Sequence, residues 1–370
     1  MQTRQIVQRV ANRALARGAW ETSGKPDAIS WIEENFYLYD TGQPMALFDW
    51  QRRPLMKALS RDDSGNFIYN TILWSWPKKS AKSCVIAAVA DYTAEHTLKG
   101  QIKLVANDLR QADSRVGFYI RESIRLSQKQ GTRHGIKITP SGYRIEYLSG
   151  TRIEMIPIDP SGEAGGNDDM IVYSELWGWK SKAHQRMWSE MTLSPNKFGN
   201  AQRWIDTYAG FEGESPILEH LYEVGVRNGV QLWDDLEVYE NQAAKMLTVW
   251  VTQPMFPWQT QEYYAEQVNT LTPNEFQRMH RNQWVSSVNV FVPIEWWDAL
   301  KRDIPPMRTY QQVVIGADAA VSDDCFALVA VSRDTDGVVA TRRCRVWYPP
   351  TGGKIQFRNP HDKNDPTTPE

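Results

Sequence analysis

A short basic segment, residues 77–83 (PKKSAKS), follows an apolar stretch and precedes a helical pattern. The phosphates of a nucleotide need backbone N–H donors, a helix N-terminus and one mobile ammonium group. Lys82 would supply the ammonium group, and the Ser83 hydroxyl would bind Mg²⁺. The motif G-x-x-x-x-G-K-[ST] has two glycines, whose places Trp76 and Ala81 take here. The alternative interpretation is a basic, solvated loop between a strand and a helix.

A second candidate group is the glutamate that ends residues 170–175 (MIVYSE). In P-loop ATPases a buried strand of this kind usually ends in Asp-Glu, where the aspartate lies at the metal and the glutamate polarises the attacking water. Here Ser174 replaces the aspartate, and as a neutral group it should hold Mg²⁺ more weakly. We predict that Glu175 is a general base and meets Lys82 across adjacent strands around one triphosphate. A surface glutamate at a strand end is the alternative.

A third candidate is Asp318, which lies among small residues in a stretch that reads as a buried strand, residues 313–320 (VVIGADAA). Two-metal phosphodiester cleavage needs several carboxylates around Mg²⁺ or Mn²⁺ ions that are ~4 Å apart. A lone aspartate in a buried strand is otherwise unfavourable. Asp318 is therefore a candidate metal ligand, with an acid on an edge strand as the alternative, and Asp323 reads as a turn residue.

Short apolar strands and amphipathic helices alternate around these residues. The pattern predicts helices at 29–39, at 83–96 and at 109–126, and strands at 70–76, 101–106, 144–158 (two strands), 170–173, 203–208 and from 313, with 326–332 as a partner. Such alternation is typical of an α/β fold with a mostly parallel central sheet flanked by helices. Residues 229–306 have a mixed, Trp-rich pattern that indicates a subdomain and a linker.

The composition narrows the class of protein. The chain has 370 residues, of which 41% are hydrophobic, which is enough for two domains. The net charge of −2 gives no overall basic excess, so contacts with DNA would depend on a local patch. Cys84, Cys325 and Cys344 are far apart, which excludes a disulfide framework and a C-x-x-C zinc site. We find no signal peptide or apolar run of ~20 residues, and we expect a reducing cytosol.

Together these motifs resemble the large terminase subunit of tailed bacteriophages. The phosphate loop is similar to that family's divergent form, P-[RK]-K-x-[GA]-K-[ST], and residues 159–176 are similar to its Gly-Asn approach to the acidic strand. The other similar segments, in chain order, are 49–51 (DWQ, the adenine-side motif), 207–210 (TYAG, the coupling motif), 276–284 (FQRMHRNQW) and 316–328, the opening hairpin of a nuclease domain. The resemblance extends over residues 47–345 in the expected order.

The resemblance implies roles for individual residues. It implies catalytic roles for Glu175 and for Lys78, which stands where the family often has an arginine that acts on the γ-phosphate, although lysine lacks the bidentate fork. The other implied residues are Gln51, Pro77, Lys79, Ser80, Ala81, Lys82 and Ser83 for nucleotide binding, Thr207, Ala209 and Gly210 for coupling, and Asp318 and Asp324 for the nuclease metals. Arg186 and Arg203 are the candidates for an arginine that acts on a neighbouring subunit.

The resemblance also implies a fold and a function. It implies an N-terminal helical segment (1–44), a P-loop ATPase core (45–228), an ATPase subdomain with a linker (229–306) and the start of a ribonuclease-H-like nuclease domain (307–370). The implied activity is ATP hydrolysis with Mg²⁺, coupled to translocation of double-stranded viral DNA into a procapsid in the host cytoplasm. The implied partners are the portal protein, the small terminase subunit and further copies in a pentamer.

The nuclease half needs further acids, and these lie on later strands and a helix in the family. We therefore expect that this chain does not cleave DNA, even with Mg²⁺ or Mn²⁺. Candidate DNA-contacting clusters are residues 180–182 and 302–308, each of which could also be a solvated face. Two other interpretations remain: a helicase-like DNA-remodelling ATPase, and a degenerate ATPase fold that acts as a DNA- or portal-binding module.

Overall fold

The computed structural model describes residues 27–108, 112–159, 166–193, 197, 200–286, 299–301, 303–318, 325–333 and 337–348. The chain divides into two compact units, Met1–Val290 and Phe291–Glu370. None of the described helices is long and apolar enough to cross a membrane.

The first unit is built on a sheet that has ten strands among the described residues. In chain order the strands are β1 (Thr71–Ser75), β2 (Gln101–Val105), β3 (Lys137–Ile138), β4 (Arg144–Glu146), β5 (Arg152–Ile156), β6 (Met170–Ser174), β7 (Gln202–Thr207), β8 (Val230–Trp233), β9 (Leu236–Asn241) and β10 (Met246–Trp250). Their order in the sheet is β3-β4-β5-β2-β6-β7-β1-β10-β9-β8. The six central strands of the sheet, β5-β2-β6-β7-β1-β10, pair in parallel. Antiparallel strands extend both edges of the sheet.

Helices cover both faces of this sheet. The described α-helices of this unit are α1 (Ala28–Asn35), α2 (Asp49–Ala58), α3 (Lys82–His96), α4 (Phe118–Gln130), α5 (Lys182–Glu190), α6 (Pro216–Tyr222), α7 (Gln261–Thr270) and α8 (Pro273–His280). One apolar cluster joins α1 to α4 to one face, and a second cluster joins α5 and α6 to the other. Because both faces are covered, every residue of β6 is buried, and its sequence is a continuous apolar run rather than an alternating one.

The observed sheet confirms the predicted α/β class. Helix α4 is preceded by a wide helical turn, Asp113–Gly117, so the predicted helix at 109–126 is not continuous. The cause is the non-helical backbone of Arg115 (φ −110°, ψ −107°). The predicted boundary at residue 229 does not interrupt the sheet: β10, which is apolar and fully buried, pairs directly with β1.

The second unit contains a three-stranded antiparallel sheet among its described residues: β11 (Val313–Asp318), β12 (Phe326–Arg333) and β13 (Val339–Trp347). The predicted pairing of the stretch 326–332 with the strand that begins at 313 is present in β11 and β12. Strand β11 was predicted to be buried, which is wrong, because all six of its residues are exposed. This antiparallel sheet fits part of a nuclease domain, as predicted from the sequence.

Candidate nucleotide-binding site

A cleft of about 330 Å³ lies where β1 and β6 end. The carboxyl ends of parallel strands are the usual place for ligands in open α/β sheets. The loop residues 78–84 form one wall, Ser114, Arg115 and Tyr119 another, and Glu175 and Tyr208 complete the lining. Lys82 and Glu175, which are 93 positions apart in the sequence, therefore face one cleft, as the sequence predicted.

The loop between β1 and α3 has the backbone of a phosphate-binding loop without its glycines. Lys79 (φ 66°) and Ala81 (φ 55°) are in the left-handed region, where glycine is usually found. Ala81 stands at the position of the motif's second glycine, and holding a non-glycine residue there costs roughly 1–2 kcal/mol. The loop is fixed from other segments: Trp258 Nε1 donates to the Lys79 carbonyl (2.7 Å), and the Lys78 N–H donates to the Met279 carbonyl (2.6 Å).

Lys82 is the first residue of helix α3, so the positive end of the helix and the ammonium group point to the same place. Its side chain is buried, and Nζ lies 4.9 Å from the centre of the Tyr208 ring. Lys78 and Lys79 are exposed at the rim, and Ser80 donates its hydroxyl to the Pro77 carbonyl (2.7 Å). The wall formed by this loop is therefore strongly basic, which suits a polyphosphate.

Glu175 lies directly after β6, in a left-handed backbone conformation (φ 55°), with its side chain 2% exposed. Arg115 Nη1 donates to one of its carboxylate oxygens, and Trp177 Nε1 donates to the other. Its backbone N–H donates to the Asp206 carbonyl (2.6 Å). The carboxylate is thus held in one orientation by two donors, as a general base needs to be.

The expectation that Lys82 and Glu175 lie on adjacent strands is wrong, because β7 lies between β1 and β6. The interposed strand brings Asp206 into the site, in register with Ser174 on one side and Trp74 on the other.

Asp206 is completely buried, and its Oδ2 accepts a hydrogen bond from the Ser83 hydroxyl. Its Oδ1 has no hydrogen-bond partner among the described residues. Burial raises the pKa of Asp206 to about 6; nearby Glu175 also raises it, whereas Lys82 and Arg115 oppose the rise. The site thus contains an acid in close contact with the phosphate loop that the sequence motifs did not indicate.

The predicted coupling segment begins at the last residue of β7, and one side chain joins it to the turn after α8. Asn282 is completely buried and has a left-handed backbone (φ 51°). Its Oδ1 accepts hydrogen bonds from the Ala209 N–H (2.7 Å) and the Ser75 hydroxyl (3.0 Å), and its Nδ2 donates to the Val251 carbonyl (3.0 Å). Three strand ends therefore meet at Asn282, the second residue after α8.

The other two predicted coupling residues lie in the same packed region. The Thr207 hydroxyl accepts from the Trp177 N–H (3.2 Å), which connects the strand end to the segment after Glu175. A Cβ at Gly210 would lie 2.7 Å from Ser215 Oγ, so only glycine fits there without rearrangement. The coupling segment is thus buried against the groups that hold Glu175.

Gln51, predicted at the adenine, is not among the residues that line the cleft. It is buried in the first turn of α2, where its Oε1 accepts from the Phe48 N–H (3.1 Å). The aromatic residues near the loop are arranged as two stacked pairs, Phe48 with Trp50 and Phe256 with Trp258, with ring centres 4.6 and 4.9 Å apart.

The predicted nuclease acids are only partly described. Asp318 is exposed at the end of β11, and Asp324 lies outside the described residues, as does Asp323. Within the described part of the chain, no three His, Cys, Asp or Glu side chains form a group that could hold a metal ion.

The candidate cationic residues have different surroundings. Arg186 is exposed and forms an ion pair with Glu190 (3.5 Å), whereas the Arg203 guanidinium packs over the Trp188 ring at 5.0 Å. Lys180 forms an ion pair with Glu214. Of the remaining cluster residues, Lys182 and Arg308 are exposed and Arg302 lies outside the described residues.

The sequence interpretation did not select Arg115, Asp206, Trp177 or Asn282. The sequence did indicate Asp206, because a carboxylate inside a predicted strand is as unusual there as Asp318 is in its own predicted strand. The others had no such signal, since an arginine in an amphipathic helical pattern and an asparagine after a helix are ordinary residues.

No model of a protein family matches the sequence, and no curated protein is similar to it. Solved structures are similar in fold. The large terminase of bacteriophage HK97 has 17% sequence identity and a TM-score of 0.53, with 88% of this chain and 68% of that chain covered. A large terminase from a thermophilic bacteriophage has 10% identity and a TM-score of 0.47, with 82% and 69% covered. The ATPase domain of the large terminase of Thermus phage P74-26, as a variant, has 13% identity and a TM-score of 0.48, with 65% and 95% covered.

The chain therefore shares the fold of the HK97 large terminase over most of its length. This agrees with the resemblance that the sequence motifs indicated.

Proposed function

We propose that this chain is a phage large terminase subunit whose first unit hydrolyses ATP to move double-stranded DNA. The observation that carries the proposal is that Lys82 and Glu175 line one basic cleft, at the strand ends of a fold shared with the HK97 large terminase. A phosphate-binding lysine and a glutamate held by two donors are the two groups that nucleotide hydrolysis requires.

In this proposal the basic wall of the cleft binds the triphosphate. Lys82 binds the β- and γ-phosphates, Lys78 lies near the γ-phosphate, and the backbone of residues 77–83 donates N–H groups to the phosphate oxygens. The Ser83 hydroxyl binds Mg²⁺, which would neutralise charge on the phosphate oxygens when bound. Gln51 stays the proposed contact of the adenine base, and a contact with the base would require its side chain to leave the Phe48 N–H.

Glu175 orients and deprotonates the attacking water. Its carboxylate is buried, and the Arg115 guanidinium next to it supplies a counter-charge. The same guanidinium lies in the wall of the cleft, so an incoming triphosphate would compete with Glu175 for it. Binding of nucleotide and release of the base are thereby linked through one side chain.

Movement is transmitted through the end of β7. Thr207 contacts the segment after Glu175, and the Ala209 N–H is bound by Asn282, the residue that leads out of α8. A shift at the γ-phosphate would therefore reach residues 276–284, the segment that resembles the region ahead of the nuclease domain. Grip on DNA phosphates is proposed for local basic residues, with Lys182 and Arg308 as exposed candidates.

The remaining parts of the proposal concern the assembly. We place the protein in the host cytoplasm, as one of five copies on the portal protein of a procapsid, with the small terminase subunit as a further partner. Asp318 and Asp324 of the second unit are the proposed ligands of the nuclease's Mg²⁺ or Mn²⁺.

Steady-state ATP hydrolysis by the purified chain tests the central claim. Glu175→Gln should lower kcat by about 10²–10⁴-fold, because a general base contributes that much, and Lys82→Ala should weaken nucleotide binding. Glu190→Gln on α5, a half-exposed glutamate paired with Arg186, is the matched control and should leave kcat unchanged.

Equal activity in the Glu175 and Glu190 variants would refute the proposed base. No turnover in the wild-type chain, with or without double-stranded DNA and portal protein, would favour a degenerate ATPase fold that acts as a binding module. Unwinding of duplex DNA by the active chain would instead favour a helicase-like enzyme.

A further inference from the structure

Asp206 and Ser174 are neighbours on one face of the central sheet. They are partners in register on the parallel strands β7 and β6. Partners in register point their side chains to the same face, about 4.8 Å apart. The residues two positions earlier, Trp204 and Val172, belong to the apolar cluster formed with α3, so this is the face that α3 covers. Both side chains therefore lie on the face that α3 covers, at the end of the sheet where the phosphate loop leads into α3.

Of these two side chains, Asp206 is the one that contacts the phosphate loop. Its Oδ2 accepts the hydrogen bond of the Ser83 hydroxyl. P-loop enzymes hold Mg²⁺ between this serine or threonine and an aspartate at a strand end, which usually directly precedes the catalytic glutamate. In this chain the residue that precedes Glu175 is Ser174, which brings no charge.

The second oxygen of Asp206 is an independent sign of a ligand. The residue is completely buried, yet Oδ1 has no hydrogen-bond partner among the described residues. Buried carboxylate oxygens are almost always paired, because leaving one unpaired is unfavourable. Mg²⁺ bound together with phosphates uses only one or two carboxylates and keeps several waters. One buried carboxylate and the Ser83 hydroxyl are therefore enough protein ligands for such a Mg²⁺ ion.

We propose that Asp206 takes the place of the missing aspartate and, with Ser83, holds the Mg²⁺ ion that accompanies the bound nucleotide. The inference rests on the proposed nucleotide binding in this cleft and adds to it the residue that fixes the metal. In this chain the metal-binding acid therefore lies on β7, the strand next to β6, which Glu175 follows. Because Thr207 directly follows Asp206, one strand then carries both the metal contact and the coupling segment.

The effect of Mg²⁺ on nucleotide affinity tests this inference without relying on turnover. The probe is methylanthraniloyl-ATP, titrated into the full chain with Mg²⁺ and with excess EDTA. In the wild type, Mg²⁺ should tighten binding. Asp206→Asn keeps the size of the side chain and should reduce that tightening by roughly tenfold to 100-fold, the range typical of groups that support a bound metal. Ser174→Ala should keep the tightening intact.

An exchange of the two side chains gives a second, positive test. The double variant S174D/D206S keeps one carboxylate and one hydroxyl on the same pair of positions, and it should recover most of the Mg²⁺ effect. A Mg²⁺ effect that survives in Asp206→Asn would overturn the inference. Loss of the effect in Ser174→Ala would overturn it equally, even if Asp206→Asn did not fold.

Failure of the wider proposal has a different signature. If the wild-type chain binds methylanthraniloyl-ATP neither with nor without Mg²⁺, the proposed nucleotide site is wrong and the assignment of Asp206 falls with it. If the wild type binds the probe and responds to Mg²⁺ while Asp206→Asn responds equally, only the metal assignment is wrong.

Discussion

The Arg115 guanidinium forms an ion pair with the carboxylate of Glu175, and both side chains line the same cleft. Arg115 is 39% exposed and has a non-helical backbone, whereas Glu175 is almost completely buried. A partly exposed cation on a non-helical turn thus contacts an almost completely buried carboxylate. In the proposed mechanism Arg115 is thus a positioning residue for Glu175, in addition to its charge in the wall of the cleft.

Replacing Arg115 should therefore affect turnover more than folding. A hydrogen bond to a charged group contributes about 1.5–3 kcal/mol, so Arg115→Ala should lower kcat by roughly tenfold to 100-fold. Arg115→Lys keeps the charge and should recover part of the rate. ATP hydrolysis measured over a range of ATP concentrations separates kcat from KM. A change confined to the melting temperature, with kcat intact, would show that the ion pair is structural only.

Asn282 should be needed for the junction between β7 and α8. Asn282→Ala leaves the buried Ala209 N–H and the Val251 carbonyl without partners, and each loss costs about 1–3 kcal/mol. We expect a lower free energy of unfolding, measured by urea denaturation. Asn274→Ala on the exposed side of α8 is the control and should change it little. Equal stability of the two variants would contradict the role given to Asn282.

A buried ion pair away from the cleft should dominate the stability of one edge of the first unit. Arg133 donates two hydrogen bonds to Asp91 (2.8 and 2.7 Å), and both side chains are buried. Arg133→Met would leave the Asp91 carboxylate buried without a counter-charge, which costs about 3–5 kcal/mol. Arg125→Met removes an exposed pair with Glu122 and should cost at most about 1 kcal/mol. Denaturant midpoints that do not separate the two variants would refute this assignment.

His280 should make the protein less stable in mild acid. Burial, with a smaller effect from Lys78, lowers the pKa of His280 to about 4 from the ordinary 6.5. Above pH 6.5 both the folded and unfolded states are neutral at this residue. As the pH falls from 6.5 to about 4, the unfolded chain takes up a proton that the folded chain does not, so stability is lost across this window.

The variant His280→Gln should lose less stability than the wild type between these two pH values, as measured by urea denaturation. His134→Gln, at an exposed position, should follow the wild-type curve. Parallel curves for the wild type and His280→Gln would show that the histidine does not contribute.

Cys84 should be unreactive in the folded protein. Burial raises the pKa of its thiol to about 12, and only the thiolate reacts with alkylating reagents. Iodoacetamide at pH 8 should therefore modify the exposed Cys344 first, and Cys84 only after denaturation in urea. Mass spectrometry of tryptic peptides assigns the modified residue. Rapid modification of Cys84 in the native chain would show that the wall of the cleft opens.

The sequence by itself determined the class of fold and the main candidates of the site. The apolar runs at β1 and β6 are continuous because helices cover both faces of those strands, and such runs are visible without a structure. Lys82 and Glu175 could also be selected from the sequence, since Glu175 directly follows one strand and Lys82 ends the loop that follows another, and parallel strands end on one side of the sheet.

Only the tertiary structure decided which strand lies between β1 and β6. Strand order depends on which apolar faces pack together across long sequence separations, and local patterns do not record it. The insertion of β7 placed Asp206 beside Ser83, a position that no motif at residues 170–175 could indicate. The backbone of Arg115 is likewise a consequence of packing, and it brings to Glu175 a cation from a region that the sequence predicted to be an ordinary helix.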